Sequence, residues 1–231
     1  MPEVSVVLPV YRTAAMIDEL WRRLSQTLAA QGVSYELIFV DDACPAGSGR
    51  VLTALAARDG RVKHLANDKN CGQRATVRRG LAAATGSVVI IMDADLQDEP
   101  ECIPRLLAEL QKGQCEAVFA GRIGQYQHPA RMWTARLFKG LMHRLLHVPG
   151  DAGSFVVMSR RMADTVLAMV SVEPYMLALI GGTGLPVCSI PIRRVNRPEG
   201  RSAYTEWSRI QFAAAGLWAA VEIRWMRWNA S

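Results

Sequence analysis

Ser87-Val-Val-Ile-Ile-Met92 leads without a break into Asp93-Ala-Asp95-Leu-Gln97-Asp98, and the reading of this stretch decides the fold. A short, continuous apolar run between Thr85-Gly86 and a group of acids predicts a strand buried on both faces, as strands of parallel sheets are. Residues i and i+2 of an extended segment project to the same side. Asp93 and Asp95 are therefore expected to face one place, with Gln97 beside them if the extension continues. Two carboxylates and an amide oxygen at a strand end suit Mg²⁺ or Mn²⁺, with phosphate oxygens completing the shell. The alternative is that the acids cap the helix that follows, a task that Asp98 or Gln97 can perform alone.

Working outward, the same alternation recurs. Val4-Ser-Val-Val-Leu8, Tyr35-Glu-Leu-Ile-Phe-Val40 and Val62 to Ala66 are predicted strands. Ala15 to Gln31 carries Ile17, Leu20, Trp21, Leu24 and Leu28 at helical spacing. Val51 to Arg58 and Arg74 to Ala84 are the next two helices. Beyond the acids, Glu99 to Lys112 is predicted helical, with Pro100 tolerated in its first turn, and Ala117-Val-Phe-Ala120 is a fifth strand. Strand and helix alternating over short links predict an α/β fold, a mostly parallel sheet flanked by helices on both faces.

After Gly121 the pattern loosens. Residues 122–131 read as a polar loop and Met132 to His147 as a helix. Phe155 to Met158 reads as a strand, Met162 to Met169 as a helix and Val187 to Val195 as a strand. The uncharged run from Pro174 to Ile192 holds too many proline and glycine breakers for a membrane span and is expected to form buried turns and a strand. Arg197 to Tyr204 is a loop, and the tail is helical. No linker divides the chain, so 1–206 is expected to be one domain, followed by an amphipathic helix over 207–231.

Bulk properties narrow the function. The chain has 231 residues, half of them hydrophobic and 21% charged, a globular composition. A net charge of +6 favours anionic partners such as nucleotides, phosphates or an anionic membrane face. The five cysteines form no CxxC pair, which argues against a disulfide framework or zinc site and for a reducing cytosol. His143 and His147 are four apart, but Arg144 stands where a zinc protease motif needs an acid. The N-terminal MPEVSVVLPVY has no basic n-region, so no export is expected. There is no GxGxxG after the first strand and no GxxxxGK[ST], which disfavours a dinucleotide fold and a P-loop.

In open α/β sheets, ligands sit outside the carboxyl ends of the strands. There, Tyr11 can wall a base, and Asp41 and Asp42 can accept hydrogen bonds from a base edge or a ribose hydroxyl; either acid can equally cap the helix near Ser48.

Leu8-Pro-Val-Tyr11, Asp41-Asp42, Asn70-x-Gly72 with its helix, and Met92-Asp-Ala-Asp-Leu-Gln97 with Pro100-Glu101 resemble, in order and spacing, the family 2 inverting glycosyltransferases of GT-A fold. The resemblance implies that the first two strand ends, with Pro9, Tyr11, Asp41 and Asp42, hold the nucleotide of a nucleotide-sugar. It implies that Asp93, Asp95 and Gln97 hold the metal and diphosphate. On this basis 1–98 is the nucleotide-sugar half and 99–206 the acceptor half. Gly121-Arg122, Arg131, Asp151-Ala-Gly-Ser-Phe155 and Arg197-x-x-Gly-Arg-Ser-x-Tyr204 look like the branch acting on polyprenyl phosphate, including dolichyl-phosphate mannose synthases and undecaprenyl-phosphate sugar transferases. By that likeness Arg122 and Arg131 hold the acceptor phosphate, and the loop with Arg197, Arg201 and Ser202 closes over the diphosphate. The chain departs from the family at Arg12-Thr13 and at Ala203, where a lysine is usual.

If the acceptor is a hydroxyl instead, Asp151 or Glu173 is the candidate base. Two further readings stand beside these: a phosphatase with DxD after an apolar strand, and a non-catalytic nucleotide- or lipid-binding subunit. Trp207, Trp218, Trp225 and Trp228 alternate with Arg209, Arg224 and Arg227 in the tail, which suits peripheral attachment at the inner face of the cytoplasmic membrane. The same helix suits packing on the domain, on a second copy or on a membrane protein. Nucleic acid is not among the expected partners.

Overall fold

The computed structural model describes residues 1–123, 148–169 and 176–193. They contain strands β1 (Val4–Val10), β2 (Tyr35–Asp41), β3 (Val62–Ala66), β4 (Val88–Ile91), β5 (Ala117–Ile123), β6 (Val156–Ser159) and β7 (Val187–Arg193). The helices are α1 (Ile17–Ala30), α2 (Ser48–Arg58), α3 (Gly72–Ala83), α4 (Ile103–Gln111), α5 (Arg160–Ala168) and α6 (Met176–Gly182). The expected helix over 132–147 and the tail over 207–231 lie outside the described residues.

The strands form one sheet in the order β3-β2-β1-β4-β6-β5-β7. β1 pairs in parallel with β2 and β4, β2 with β3, and β5 with β7, whereas β6 is antiparallel to both neighbours. All strands except β6 thus point one way, and the mostly parallel α/β expectation holds. The alternating inward residues split the core in two. Val6, Leu8, Leu37 and Phe39 pack with α1, α2 and α4. Val7, Ile38, Val89 and Phe119 pack with α3, α5 and α6. Apolar residues on both sides of each central strand are why those strands read as unbroken hydrophobic runs.

α3 approaches the sheet closely because it presents a glycine. A Cβ on Gly80 would lie 2.4 Å from Val7 Cγ1 and 3.0 Å from Val40 Cγ2. At the opposite edge from the strand ends discussed below, Glu36 of β2 is buried and braces the sheet. It accepts hydrogen bonds from Ser5 Oγ (2.6 Å), Thr85 N (2.8 Å) and Thr85 Oγ1 (2.9 Å) and pairs with Lys63 (2.6 Å).

Two expectations need correction. Part of the run from Pro174 to Ile192, expected to be turns and a strand, is helix: α6 buries Ala178, Leu179 and Ile180. Its lack of charge left no amphipathic period to read, and Gly181-Gly182-Thr183-Gly184 concealed the turn as a breaker cluster. α2 begins at Ser48 rather than Val51, after Gly47 in the left-handed conformation (φ 78). Strand β7 (Val187–Arg193) lies within the span predicted for it.

Candidate active site

The connection pattern runs outward from β1 through β2 to β3, then returns to β4 on the other side of β1. The carboxyl ends of β1 and β4 therefore flank a topological switch point, where open α/β sheets place their ligands. Among the described residues, three non-glycine residues have left-handed backbone: Arg12 (φ 58), Ala43 (φ 50) and Leu96 (φ 57). Arg12 and Ala43 lie two residues past the ends of β1 and β2, and Leu96 five past the end of β4. Such a conformation costs about 1 kcal/mol or more for a residue with a Cβ, and here that strain gathers at one edge of the sheet.

Asp93 lies two residues beyond the end of β4, after Met92. Its Oδ1 accepts a hydrogen bond from Gln73 Nε2 (2.6 Å) and its Oδ2 one from Ser154 Oγ (2.7 Å). Gln73 lies in the first turn of α3. Ser154 arrives from the other half of the chain: Ile91 pairs with Val156, and the same antiparallel register carried two residues on sets Asp93 opposite Ser154.

Asp95 is 6% exposed, and its Oδ1 accepts the backbone N–H of Gln97 (3.1 Å). The extension on which Gln97 was expected to join the two acids does not continue, because Leu96 turns the chain through its left-handed conformation. The N-cap position of the 3-10 turn Pro100–Cys102 is Glu99, and no side-chain cap bond is made there.

The end of β2 divides the work of its two acids. Asp42 Oδ1 accepts from Asn67 Nδ2 (2.9 Å) and Cys71 N (2.7 Å), and its Oδ2 accepts from Gly72 N (2.9 Å). It thus caps the N-terminus of α3, a role that sequence reading assigned to neither acid for that helix. Asp41 Oδ1 accepts from Cys44 N (3.0 Å), and Gly49 leaves room for the other oxygen, since a Cβ there would lie 3.1 Å from it. Tyr11 is half-buried beside them, with the Arg12 guanidinium 5.2 Å from its ring centre. Pro9 pairs with Val40 within the sheet. Burial opposes ionisation of the Cys44 thiol, but the polar groups about it, Ser48 and the backbone N–H groups of this turn, among them that of Arg12 at 3.0 Å, outweigh it and hold the thiol below its ordinary pKa.

Asp151 sits on the loop that carries Ser154. Its Oδ1 accepts from Ser189 Oγ of β7 (2.8 Å), and its Oδ2 lies 1.9 Å from where a Cβ of Gly121 would be. Gly121 is therefore glycine because the carboxylate occupies the side-chain position. Arg122 extends β5 opposite Ile192. Its side chain, and Arg131, Glu173, Arg197, Arg201 and Ser202, lie outside the described residues.

Sequence reading missed Gln73 and Ser154 as partners of Asp93. Both lie within the quoted motifs, but only the helix start and the reversed strand bring them to it.

The oxygen donors at this edge fit a hard divalent cation. Among the described residues no group of three or more His, Cys, Asp or Glu gathers to cage a metal. A cation here would take the two carboxylates and fill its shell with waters and ligand phosphate oxygens, a manner usual for Mg²⁺.

Comparison with known proteins gives a consistent result. A family model described as "Glycosyl transferase family 2" matches residues 5–167. The undecaprenyl-phosphate 4-deoxy-4-formamido-L-arabinose transferase of Pseudomonas paraeruginosa is 33% identical over 205 residues, covering 87% of this chain and 60% of that protein. An uncharacterized glycosyltransferase of Bacillus subtilis is 27% identical over 218 residues, covering 93% of this chain and 67% of the other. The chain thus spans 60–67% of the length of these relatives. Among solved structures, a mannosyltransferase of Pyrobaculum calidifontis in complex with GDP-Man and Mn²⁺ superposes with a TM-score of 0.69 at 18% identity, covering 96% of this chain and 64% of that one. Glucosyl-3-phosphoglycerate synthase of Mycobacterium tuberculosis, in complex with Mn²⁺, UDP and phosphoglyceric acid, gives 0.69 at 16%, covering 96% and 78%. At these identities the structural likeness is one of fold.

Proposed function

The chain belongs to glycosyl transferase family 2, and from that membership we propose that it moves a sugar from a nucleotide-sugar to polyprenyl phosphate, inverting the anomeric carbon with the aid of Mg²⁺ or Mn²⁺. The observation that carries this reading is the pair Asp93 and Asp95 at the switch point, with Asp93 oriented from both sides. The relative named for undecaprenyl phosphate supports the acceptor class.

In this reading Tyr11 and Pro9 wall the base and Asp41 accepts from base or ribose. Asp42 acts by shaping the start of α3. Asp93 and Asp95 would hold the cation, which when bound offsets the charge growing on the departing nucleoside diphosphate. Arg197, Arg201 and Ser202 would close over that diphosphate. Arg122 and Arg131 would hold the acceptor phosphate. A phosphate acceptor is already ionised, so it needs cations for positioning rather than a general base. The employment of Asp151 in holding Ser189 beside Gly121 supports that choice over a hydroxyl acceptor. With a lipid acceptor, the reaction would run at the inner face of the cytoplasmic membrane. Among the described residues no helix is long and apolar enough to cross one.

The test is a panel of nucleotide-sugars with undecaprenyl phosphate and Mn²⁺ or Mg²⁺, following sugar incorporation into lipid. One donor should give product, chelation should stop it, and Asp95→Ala should lower turnover at least about a hundredfold with the fold kept. Undiminished turnover in Asp95→Ala would refute the metal assignment. Transfer to glycans or small hydroxyl compounds, but never to lipid phosphate, would refute the acceptor.

A further inference from the structure

Each oxygen of the Asp93 carboxylate accepts a short hydrogen bond, and the two donors enter from opposite halves of the chain. Gln73 Nε2 reaches Oδ1 at 2.6 Å and Ser154 Oγ reaches Oδ2 at 2.7 Å. Bonds to an ionised acceptor are shorter and stronger than neutral ones. Two of them on the two oxygens fix both torsions of the aspartate side chain.

Neither donor is loosely placed. Gln73 follows Cys71 and Gly72, whose N–H groups are both taken by Asp42, and Gly72 makes the turn with φ 82. Ser154 precedes Phe155, whose carbonyl accepts from Ala120 N at 3.0 Å, and it shares its loop with Asp151, which is tied to Ser189.

We infer that Gln73 and Ser154 are positioning residues that clamp Asp93 and thereby set the affinity of this edge for a divalent cation. This rests on the metal reading given above. Neither residue needs to touch the cation. They act by preventing the first carboxylate from rotating away from it, in the way outer hydrogen-bond partners tune metal ligands. The clamp also joins the two halves of the chain: the loop 148–155 on the acceptor side supplies one jaw and the start of α3 on the donor side supplies the other.

The experiment measures Mn²⁺ binding directly, by calorimetry and by loss of free-ion paramagnetic resonance, without donor or acceptor. Thermal unfolding of each variant is measured alongside. Wild type, Gln73→Ala, Ser154→Ala, Ser154→Thr and Asp95→Ala are compared. Each alanine variant of the clamp should weaken Mn²⁺ binding by about tenfold or more with its melting temperature nearly kept. Ser154→Thr, which keeps the hydroxyl, should recover to within about threefold of wild type, and Asp95→Ala should abolish binding.

Wild-type affinity in both alanine variants would overturn the clamp while leaving the metal reading intact. A loss of affinity that merely follows a loss of folded protein, or no recovery in Ser154→Thr, would also overturn it. Absence of Mn²⁺ binding in the wild type would end both inferences together.

Discussion

Replacing Glu36 by glutamine should remove a part of the protein's stability that depends on pH. Glu36 is 5% exposed. Burial alone would raise its pKa, but Lys63, Ser5 and both the N–H and the hydroxyl of Thr85 outweigh it and bring the carboxyl from an ordinary 4.5 down to about 2. A difference of about 2.5 units corresponds to about 3 kcal/mol of folding stability at most. The Lys63 side chain is 44% exposed, so water screens its share, and about 2 kcal/mol is the expected observable. Because the folded pKa is depressed, the contribution is fully present above about pH 5 and is lost as pH falls toward 2; more than half should be gone at about pH 3.

Glutamine is the informative replacement. The three hydrogen bonds from Ser5 and Thr85 all fall on Oε1 and survive on the amide oxygen, while the amide nitrogen now faces Lys63. Urea unfolding from pH 7 to pH 3 should show Glu36→Gln about 2 kcal/mol less stable at neutrality, with the gap closing on acidification. Parallel curves for the two proteins over that range would refute the reasoning, since they would mean that Glu36 titrates alike folded and unfolded.

Two further outcomes are expected. Gly80→Ala should destabilise by about 1–3 kcal/mol in thermal or urea unfolding, despite alanine's better helix propensity, because its Cβ would fall 2.4 Å from Val7 Cγ1; a variant as stable as wild type would show that α3 rides outward freely. In timed alkylation of the native protein at about pH 8, followed by peptide mass analysis, Cys44 should react well before Cys188. The first thiol is lowered by its hydrogen bonds, and the second is pushed up to about 12 by burial and the neighbouring Cys115; the reverse order would contradict that picture.

Much of the architecture was legible because it rests on local pattern. β1 to β4 and α1 to α4 declare themselves through unbroken apolar strands and 3.6-residue spacing, and Asp93 and Asp95 stand out as acids at the end of a fully apolar run. What was not legible depends on distant pairing. Nothing local says that β6 inserts between β4 and β5 in the opposite direction, so the pairing of Ser154 with Asp93 was out of reach. Asp42 shows the same limit from the other side. Its acidity and place at a strand end suggested a ligand contact, yet its oxygens serve backbone N–H groups that approach thirty residues later. Leu96 shows a third limit, because a leucine gives no hint of positive φ. The resemblance that supplied roles for Arg122, Arg131, Arg197, Arg201 and Ser202 concerns side chains outside the described residues.

The reversal of β6 has a consequence for redesign. The chain enters that strand from the edge at which β4 and β5 finish, so whatever residue occupies position 154 is delivered across from Asp93 by the ladder itself. A graft that exchanges 148–155 would import a new neighbour for that carboxylate in the same stroke. Anyone who rebuilds this stretch must therefore restore a hydroxyl at that position if the bond to Asp93 is to survive.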